Sequence, residues 1–222
     1  MVDVWRADLA ATPEELGELL CAEERERAAR IVRERDRVLW ARSRGVLRAL
    51  LGRYLDRDPR ALRFAVGAHG KPMLQIPSGT PTSGPTPAGT LKTDGVADLR
   101  FNMSHSGELA LYAVTAKHAV GIDVEVARRQ INELAIAARV LGRDQARRLA
   151  SLDAEARTQE FLRAWATNEA AVKCRGTGLA APPQGSPTAD LWTTELDVGP
   201  HAAAAVAVEG ERRELRCWQW RS

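Results

Sequence analysis

The sequence has few of the features that mark membrane-spanning, secreted or zinc-thiolate proteins. No run of about 18 apolar residues occurs, so we expect no membrane-spanning helix. The first six residues include an acid and a base where a secretory signal peptide would be apolar. The three cysteines, Cys21, Cys174 and Cys217, are far apart and fit neither a zinc motif nor a disulfide framework. We therefore expect a cytoplasmic protein with no membrane partner.

Acidic residues are scarce between positions 25 and 63. This segment holds thirteen Arg and five acids, although the whole chain carries a net charge of only +3. Such a patch attracts phosphate groups, nucleic acid or an acidic protein, or it is a solvated helix face. Trp40 and Tyr54 are its two aromatic residues, which is few for a module that stacks bases. We therefore expect no nucleic-acid partner.

Alternating and helical hydrophobic spacings predict a mixed α+β chain. The predicted strands cover residues 2–8, 62–66, 99–103, 109–115, 120–126, 190–196, 202–208 and 214–220. The first predicted helix begins at Thr12-Pro13, where Thr12 can cap it, and the others span residues 36–55, 131–150 with a break near Gly142, and 158–175 up to Gly176. The buried stripe predicted for residues 36–55 consists of Val38, Leu39, Val46, Leu47, Leu50, Leu51 and Tyr54. Residues 77–95 are rich in Pro, Gly, Ser and Thr, which predicts a flexible surface insertion.

Two carboxylates, Asp123 and Glu125, lie two residues apart on a predicted strand. Positions two apart point to the same side of a strand, so Ile122 and Val124 face the other way, into a core. Paired carboxylates repel each other unless a cation lies between them, and their hard oxygens suit magnesium. The alternative is an exposed acidic strand edge.

Trp165, Glu169 and Lys173 are four residues apart and share one stripe of a predicted helix. One interpretation is a surface Glu–Lys ion pair beside a half-buried Trp. The functional interpretation makes Glu169 a third carboxylate and Lys173 a phosphate partner. His105 lies among Asn and Ser at a strand end, where it can donate to a phosphate oxygen or belong to a turn whose side chains bond their own backbone.

Together these segments resemble the 4′-phosphopantetheinyl transferases of the surfactin-synthetase-activating (Sfp) type. The matching motifs run in the family's order: Gly70-Lys71-Pro72, Phe101-Asn102-Met103-Ser104-His105-Ser106, Gly121-Ile122-Asp123-Val124-Glu125, Trp165-x-x-x-Glu169-Ala170-x-x-Lys173 and Gly176-x-Gly178-Leu179. The resemblance covers roughly residues 20–180.

The resemblance implies an α+β pseudo-dimer, in which two similar α/β halves enclose the active site in the cleft between them. Residues 1–115 would form the N-terminal half, with contacts to the nucleotide and 3′-phosphate of coenzyme A. Residues 116–222 would form the C-terminal half, with the metal site and the catalytic helix. The protein would be a monomer.

The resemblance also assigns the site residues. Asp123, Glu125 and Glu169 would bind Mg²⁺. Glu169, Lys173 and His105 would be catalytic. Glu169 would accept the proton of the carrier serine, directly or through a metal-bound water, Lys173 would neutralise phosphate charge, and His105 would hold a phosphate oxygen. The expected coenzyme A contacts are Arg27, Arg48, Lys71, Pro72, Ser104, His105 and Lys173. For the 3′-phosphate, the neighbours Arg25, Arg30, Arg42 and Arg44 compete with Arg27 and Arg48.

The implied reaction moves the phosphopantetheine group of coenzyme A to a serine of an apo acyl or peptidyl carrier protein and releases 3′,5′-adenosine bisphosphate. Fatty-acid, polyketide and nonribosomal-peptide carriers all remain open as partners. One residue departs from the family pattern, because Asn168 stands where the family usually has Lys before the helix glutamate. Asn168 motivates an alternative, a degenerate module that binds carriers without modifying them.

Overall fold

The computed structural model describes residues 1–66, 72–75, 99–127, 132–176 and 191–221. The strands are β1 (Val2–Asp8), β2 (Arg63–Val66), β3 (Pro72–Gln75), β4 (Leu99–Ser106), β5 (Leu109–Ala116), β6 (Val120–Val126), β7 (Leu191–Leu196), β8 (Ala202–Glu209) and β9 (Leu215–Gln219). The helices are α1 (Ala22–Ala29), α2 (Glu34–Leu55), α3 (Glu133–Val140), α4 (Arg143–Ala150) and α5 (Ala154–Arg175). The predicted α+β class is confirmed. None of the described helices combines the length and apolar character that crossing a membrane requires.

The chain divides into two compact units, one of residues 1–117 with 214–222 and one of residues 118–213. All of residues 116–222 were expected to belong to one half, whereas residues 214–222 lie in the first unit. The physical reason is strand pairing, because β9 pairs in parallel with β1 over Val2–Arg6. The internal similarity of the two halves stays a prediction.

The first unit packs α2 against a sheet with the strand order β4-β5-β1-β9. The stripe predicted on α2 is buried at Val46, Leu47, Leu50 and Leu51, because helical spacing places these residues on one face. On β5, Tyr112 is fully buried, and its hydroxyl donates to the Ser43 carbonyl of α2 at 2.9 Å. This bond fixes the helix on the sheet.

The helix start predicted at Thr12-Pro13 is wrong in its details. Thr12 donates its hydroxyl to the Asp8 carbonyl at 2.6 Å instead of capping a helix. The following residues, Glu14–Leu19, form a short 3-10 helix without a side-chain cap. The bond to Asp8 takes the hydroxyl away from the backbone that it was expected to cap.

The second unit packs α5 on a sheet with the strand order β6-β8-β7. Helix α5 begins four residues before the predicted start, because the Asp153 carboxylate accepts from the Ala156 amide at 2.9 Å and caps it. It ends where expected, at Gly176, whose φ of 69° is a left-handed conformation that favours glycine. The predicted insertion, residues 77–95, lies outside the described residues.

Candidate active site

Strand β6 carries its carboxylates as the alternation predicts. Ile122 and Val124 are buried on one face, and Asp123 points to the other face, where it is only 3% exposed. The paired strand β8 places Ala205 opposite Asp123 and Ala203 opposite Glu125. Because Asp123 is buried, the alternative of an exposed acidic strand edge does not hold for this residue.

Helix α5 lies directly on the carboxylate face of β6. Gly121 makes this close approach possible, because a Cβ atom at that position would lie 2.0 Å from the carbonyl oxygen of Ala170. The small side chains of Ala203 and Ala205 belong to the same packed cluster as Ala170. The sequence therefore brings the Trp165–Glu169–Lys173 stripe of the helix against Asp123 and Glu125 of the strand.

Lys173 of the helix stripe forms a hydrogen bond to a carboxylate of the strand. Its Nζ donates to Asp123 Oδ1 at 2.6 Å. The Lys173 side chain is 29% exposed and that of Asp123 is 4% exposed, so the pair is largely removed from water. The alternative of an exposed Glu–Lys pair along the helix is therefore wrong, since Lys173 reaches to the strand and Glu169 is buried.

Trp165 contacts the second strand carboxylate. Its indole Nε1 donates to Glu125 Oε1 at 3.2 Å, and its ring stacks on Phe161 with centroids 6.0 Å apart. The stacking restricts the ring, so the indole N–H holds one oxygen of Glu125 in a fixed place. The sequence analysis placed Trp165 on the stripe and did not predict this contact.

Glu169 is a buried carboxylate of the helix stripe. It is 9% exposed, and its Oε1 atom has no hydrogen-bond partner among the residues that the structure describes. Burial raises the pKa of Glu169; the charge of Asp123 raises it further, Lys173 opposes this change and Glu125 adds to it. A carboxylate whose pKa is raised toward neutrality is suited to accept a proton from a substrate hydroxyl.

The described part of the chain holds no group of three His, Cys, Asp or Glu side chains arranged to hold a metal ion. One oxygen of Asp123 is bonded to Lys173 and one oxygen of Glu125 to Trp165. The donor set nevertheless fits Mg²⁺ by its chemistry, because carboxylate oxygens are hard ligands, the charges of Asp123 and Glu125 act on Glu169, and the buried Glu169 Oε1 lacks a partner within the described ranges. Their assignment as ligands stays a prediction.

The first unit gives Arg48 surroundings that the sequence analysis did not predict. Its guanidinium donates to Glu24 Oε2 at 2.6 Å and to the carbonyls of Pro59 and Leu62, and the residue is fully buried. Arg44 donates to the other oxygen of Glu24 at 2.6 Å. Two arginines thus share one carboxylate, which favours a structural role for Arg48 over a solvent-facing phosphate contact.

The other predicted coenzyme A contacts of the first unit occupy different elements. Arg27 is exposed on α1, where its guanidinium lies 5.8 Å from the ring centre of Trp40. Ser104 is buried and His105 half-buried on β4, and Pro72 begins β3. Lys71 lies outside the described residues. No local pattern in the sequence marks Glu24, because its role depends on contacts with a helix twenty residues away.

Comparison with known proteins finds a matching family model and several similar proteins. A family model described as the 4′-phosphopantetheinyl transferase superfamily matches residues 119–221, which include β6 and α5. The chain is 30% identical over 236 residues to the 4′-phosphopantetheinyl transferase HetI of Nostoc sp., covering 99% of this chain and 92% of HetI. It is 25% identical over 160 residues to the 4′-phosphopantetheinyl transferase Sfp of Bacillus subtilis, covering 72% of this chain and 62% of Sfp.

Proposed function

The chain belongs to the 4′-phosphopantetheinyl transferase superfamily, and on this basis we propose that it transfers the phosphopantetheine group of coenzyme A to a carrier protein. The acceptor is a serine hydroxyl of an apo acyl or peptidyl carrier, and the leaving group is 3′,5′-adenosine bisphosphate. The order of its motifs supports assignment to the Sfp type.

One observation carries the proposal. Glu169 is buried on the helix with a raised pKa, the strand carboxylates Asp123 and Glu125 act on it by their charges, and Lys173 bonds to Asp123. This arrangement matches what phosphoryl transfer needs, which is a proton acceptor for the attacking hydroxyl and positive charge for the phosphate oxygens.

Within this proposal Glu169 accepts the proton of the carrier serine. The serine oxygen then forms a bond to the β-phosphorus of coenzyme A as the bond to adenosine bisphosphate breaks. Lys173 supplies positive charge to the phosphate oxygens on which charge builds up. Asp123, Glu125 and Glu169 would hold Mg²⁺, which when bound supplies further charge neutralisation at the diphosphate. Trp165 keeps Glu125 oriented through its indole N–H.

We further propose that residues of the first unit bind the nucleotide and its phosphates. Arg27, Ser104 and His105 present basic or hydroxyl groups suited to phosphate oxygens. Arg48 would act indirectly, because its guanidinium is bonded to Glu24 and backbone carbonyls. Lys71 and Pro72 complete the proposed set.

Intact-mass analysis of a panel of apo carriers tests this function. Fatty-acid, polyketide and nonribosomal-peptide carriers are incubated with the chain, coenzyme A and Mg²⁺, and each is weighed by mass spectrometry. We expect at least one carrier to gain the mass of a phosphopantetheine group, and only when Mg²⁺ is present. Carriers that bind the chain but keep their apo mass would contradict the proposal and support the carrier-binding alternative.

A further inference from the structure

The side chain of Lys173 has two possible anionic partners in the proposed reaction. In the structure its Nζ bonds to Asp123, a carboxylate that we assign to Mg²⁺. In the proposed reaction its charge is needed at the phosphates of coenzyme A. A lysine ammonium is a compact charge on a flexible stem, so it can exchange one oxygen partner for another.

We propose that Lys173 and a divalent cation compete for Asp123, and that cation binding transfers the Lys173 ammonium from Asp123 to the substrate diphosphate. This inference rests on the proposed function and adds a sequence of events to it. Lys173 stays bonded to Asp123 until a cation takes its place. The ammonium and the cation therefore act together on the diphosphate only when both the metal and the substrate are bound.

Burial decides which member of the pair moves. The Asp123 side chain is 4% exposed, and its backbone is central in the stretch of β6, residues 120–126, that pairs with β8. Asp123 therefore stays in place. The Lys173 side chain is 29% exposed and belongs to the last turn of α5, so its end can move toward a ligand. Removing the lysine ammonium from a buried aspartate has a large free-energy cost. The positive charge of an arriving divalent cation offsets that cost.

Metal affinity in the absence of coenzyme A gives the first test. Mn²⁺ is titrated into wild type, Lys173→Gln and Lys173→Arg, and free Mn²⁺ is followed by electron paramagnetic resonance. We expect Lys173→Gln to bind Mn²⁺ about tenfold more tightly than wild type, because a competing unit charge close to Asp123 is removed. Lys173→Arg keeps the competing charge and should bind Mn²⁺ no more tightly than wild type.

Arg163→Gln is the matched control for this titration. Arg163 is exposed on the same helix and pairs with Glu195 at 3.9 Å, so its loss changes the net charge equally but leaves Asp123 untouched. We expect its Mn²⁺ affinity to equal that of wild type. A gain as large as that of Lys173→Gln would show a general charge effect and overturn the competition.

Coenzyme A binding without metal gives the second test, as a double-mutant cycle read by calorimetry in the presence of a chelator. Asp123→Asn frees Lys173 from its buried partner, so we expect it to bind coenzyme A more tightly than wild type by about fivefold or more. In the Lys173→Gln background, the same Asp123→Asn change should give a much smaller gain. An equal gain in both backgrounds would mean that Asp123 merely repels the substrate, which overturns the proposed transfer of the ammonium.

The outcomes separate this inference from the proposed function. A wild type that modifies carriers with Mg²⁺, together with a Lys173→Gln variant that binds Mn²⁺ no more tightly, refutes the competition and leaves the function standing. A wild type that neither binds Mn²⁺ nor modifies any carrier refutes both. If Lys173→Gln is poorly folded, the Lys173→Arg titration decides, since tighter Mn²⁺ binding by that variant contradicts the competition.

Discussion

Each unit of the molecule holds a cluster of charged side chains around a buried glutamate, and the net charges of the two clusters have opposite signs. The Glu24 cluster of the first unit consists of Glu24, Arg44 and Arg48, with more positive than negative charge. The Glu169 cluster of the second unit consists of Asp123, Glu125, Glu169 and Lys173, with more negative than positive charge.

The pKa values of the two buried glutamates shift in opposite directions. Burial alone would raise the pKa of Glu24, but the charges and hydrogen bonds of Arg44 and Arg48 lower it. Burial raises the pKa of Glu169, and Asp123 adds to the rise more than Lys173 offsets it. A buried carboxylate bonded at both oxygens by arginine is a structural element, whereas one short of positive charge can accept a proton or a cation.

The largest expected effect tests the proposed catalytic role of the Glu169 cluster. Glu169→Gln removes the proton acceptor while keeping the shape of the side chain, so kcat for carrier modification should fall by about 10²–10⁴-fold. The measurement is the rate of holo-carrier formation at saturating coenzyme A and Mg²⁺. Glu155→Gln, exposed in the first turn of the same helix, should retain the wild-type rate. A folded Glu169→Gln chain with near-normal turnover would refute the role of Glu169.

The next largest effect tests whether the Glu24 cluster stabilises the fold. Glu24→Ala leaves two buried guanidiniums without their shared carboxylate, which should lower the free energy of unfolding by about 3–5 kcal/mol. Urea denaturation followed by circular dichroism measures the change. Glu26→Ala, exposed on the same helix, should change stability little. Equal losses in the two variants would show that the Glu24 cluster has no special importance.

A smaller effect is expected from Trp165, which bonds to a carboxylate of the proposed metal site. Trp165→Phe keeps the ring against Phe161 but removes the indole N–H that holds Glu125. The Mg²⁺ concentration for half-maximal activity should rise by about tenfold, as expected when the partner of a metal ligand is lost. Trp192→Phe on β7 serves as the control. An unchanged Mg²⁺ requirement would separate Trp165 from the metal site.

The smallest effect is a pH dependence of stability without divalent cations. The folded-state pKa of Glu169 is raised, so its contribution to stability is fully present below the unfolded value of about 4.3 and is lost as pH rises through the folded value. Glu169→Gln lacks this loss. The variant should therefore melt at a higher temperature than wild type at pH 8 and lose this advantage toward pH 4. A constant difference across this range would contradict the raised pKa.

The two clusters also show which features of the structure can be predicted from the sequence alone. Alternation and helical spacing predicted β6 and most of α5, because they depend only on local periodicity. The bond from Lys173 to Asp123 was not predicted, because it depends on the register between a helix and a strand fifty residues apart. The burial of Arg48 was missed for the same reason, since one Arg in an Arg-rich segment has no local mark of a buried partner.

Short elements also escaped prediction. No strand was predicted around Pro72, where the structure has strand β3, which pairs with β2. The pairing of β9 with β1 joins segments more than two hundred residues apart, and a hydrophobic pattern carries no information about which strand a segment will pair with. Tertiary packing, not local preference, decided these features.

The bare α-carbon of Gly121 sets how near α5 can approach β6. A methyl group there would push the helix outward, and the gaps between Glu169 and the strand carboxylates would widen together. Mg²⁺ tolerates only short, regular oxygen distances, whereas Ca²⁺ accepts longer and looser ones. If Asp123, Glu125 and Glu169 bind Mg²⁺ as proposed, the ion preference of the site would thus depend on a position that offers no ligand atom.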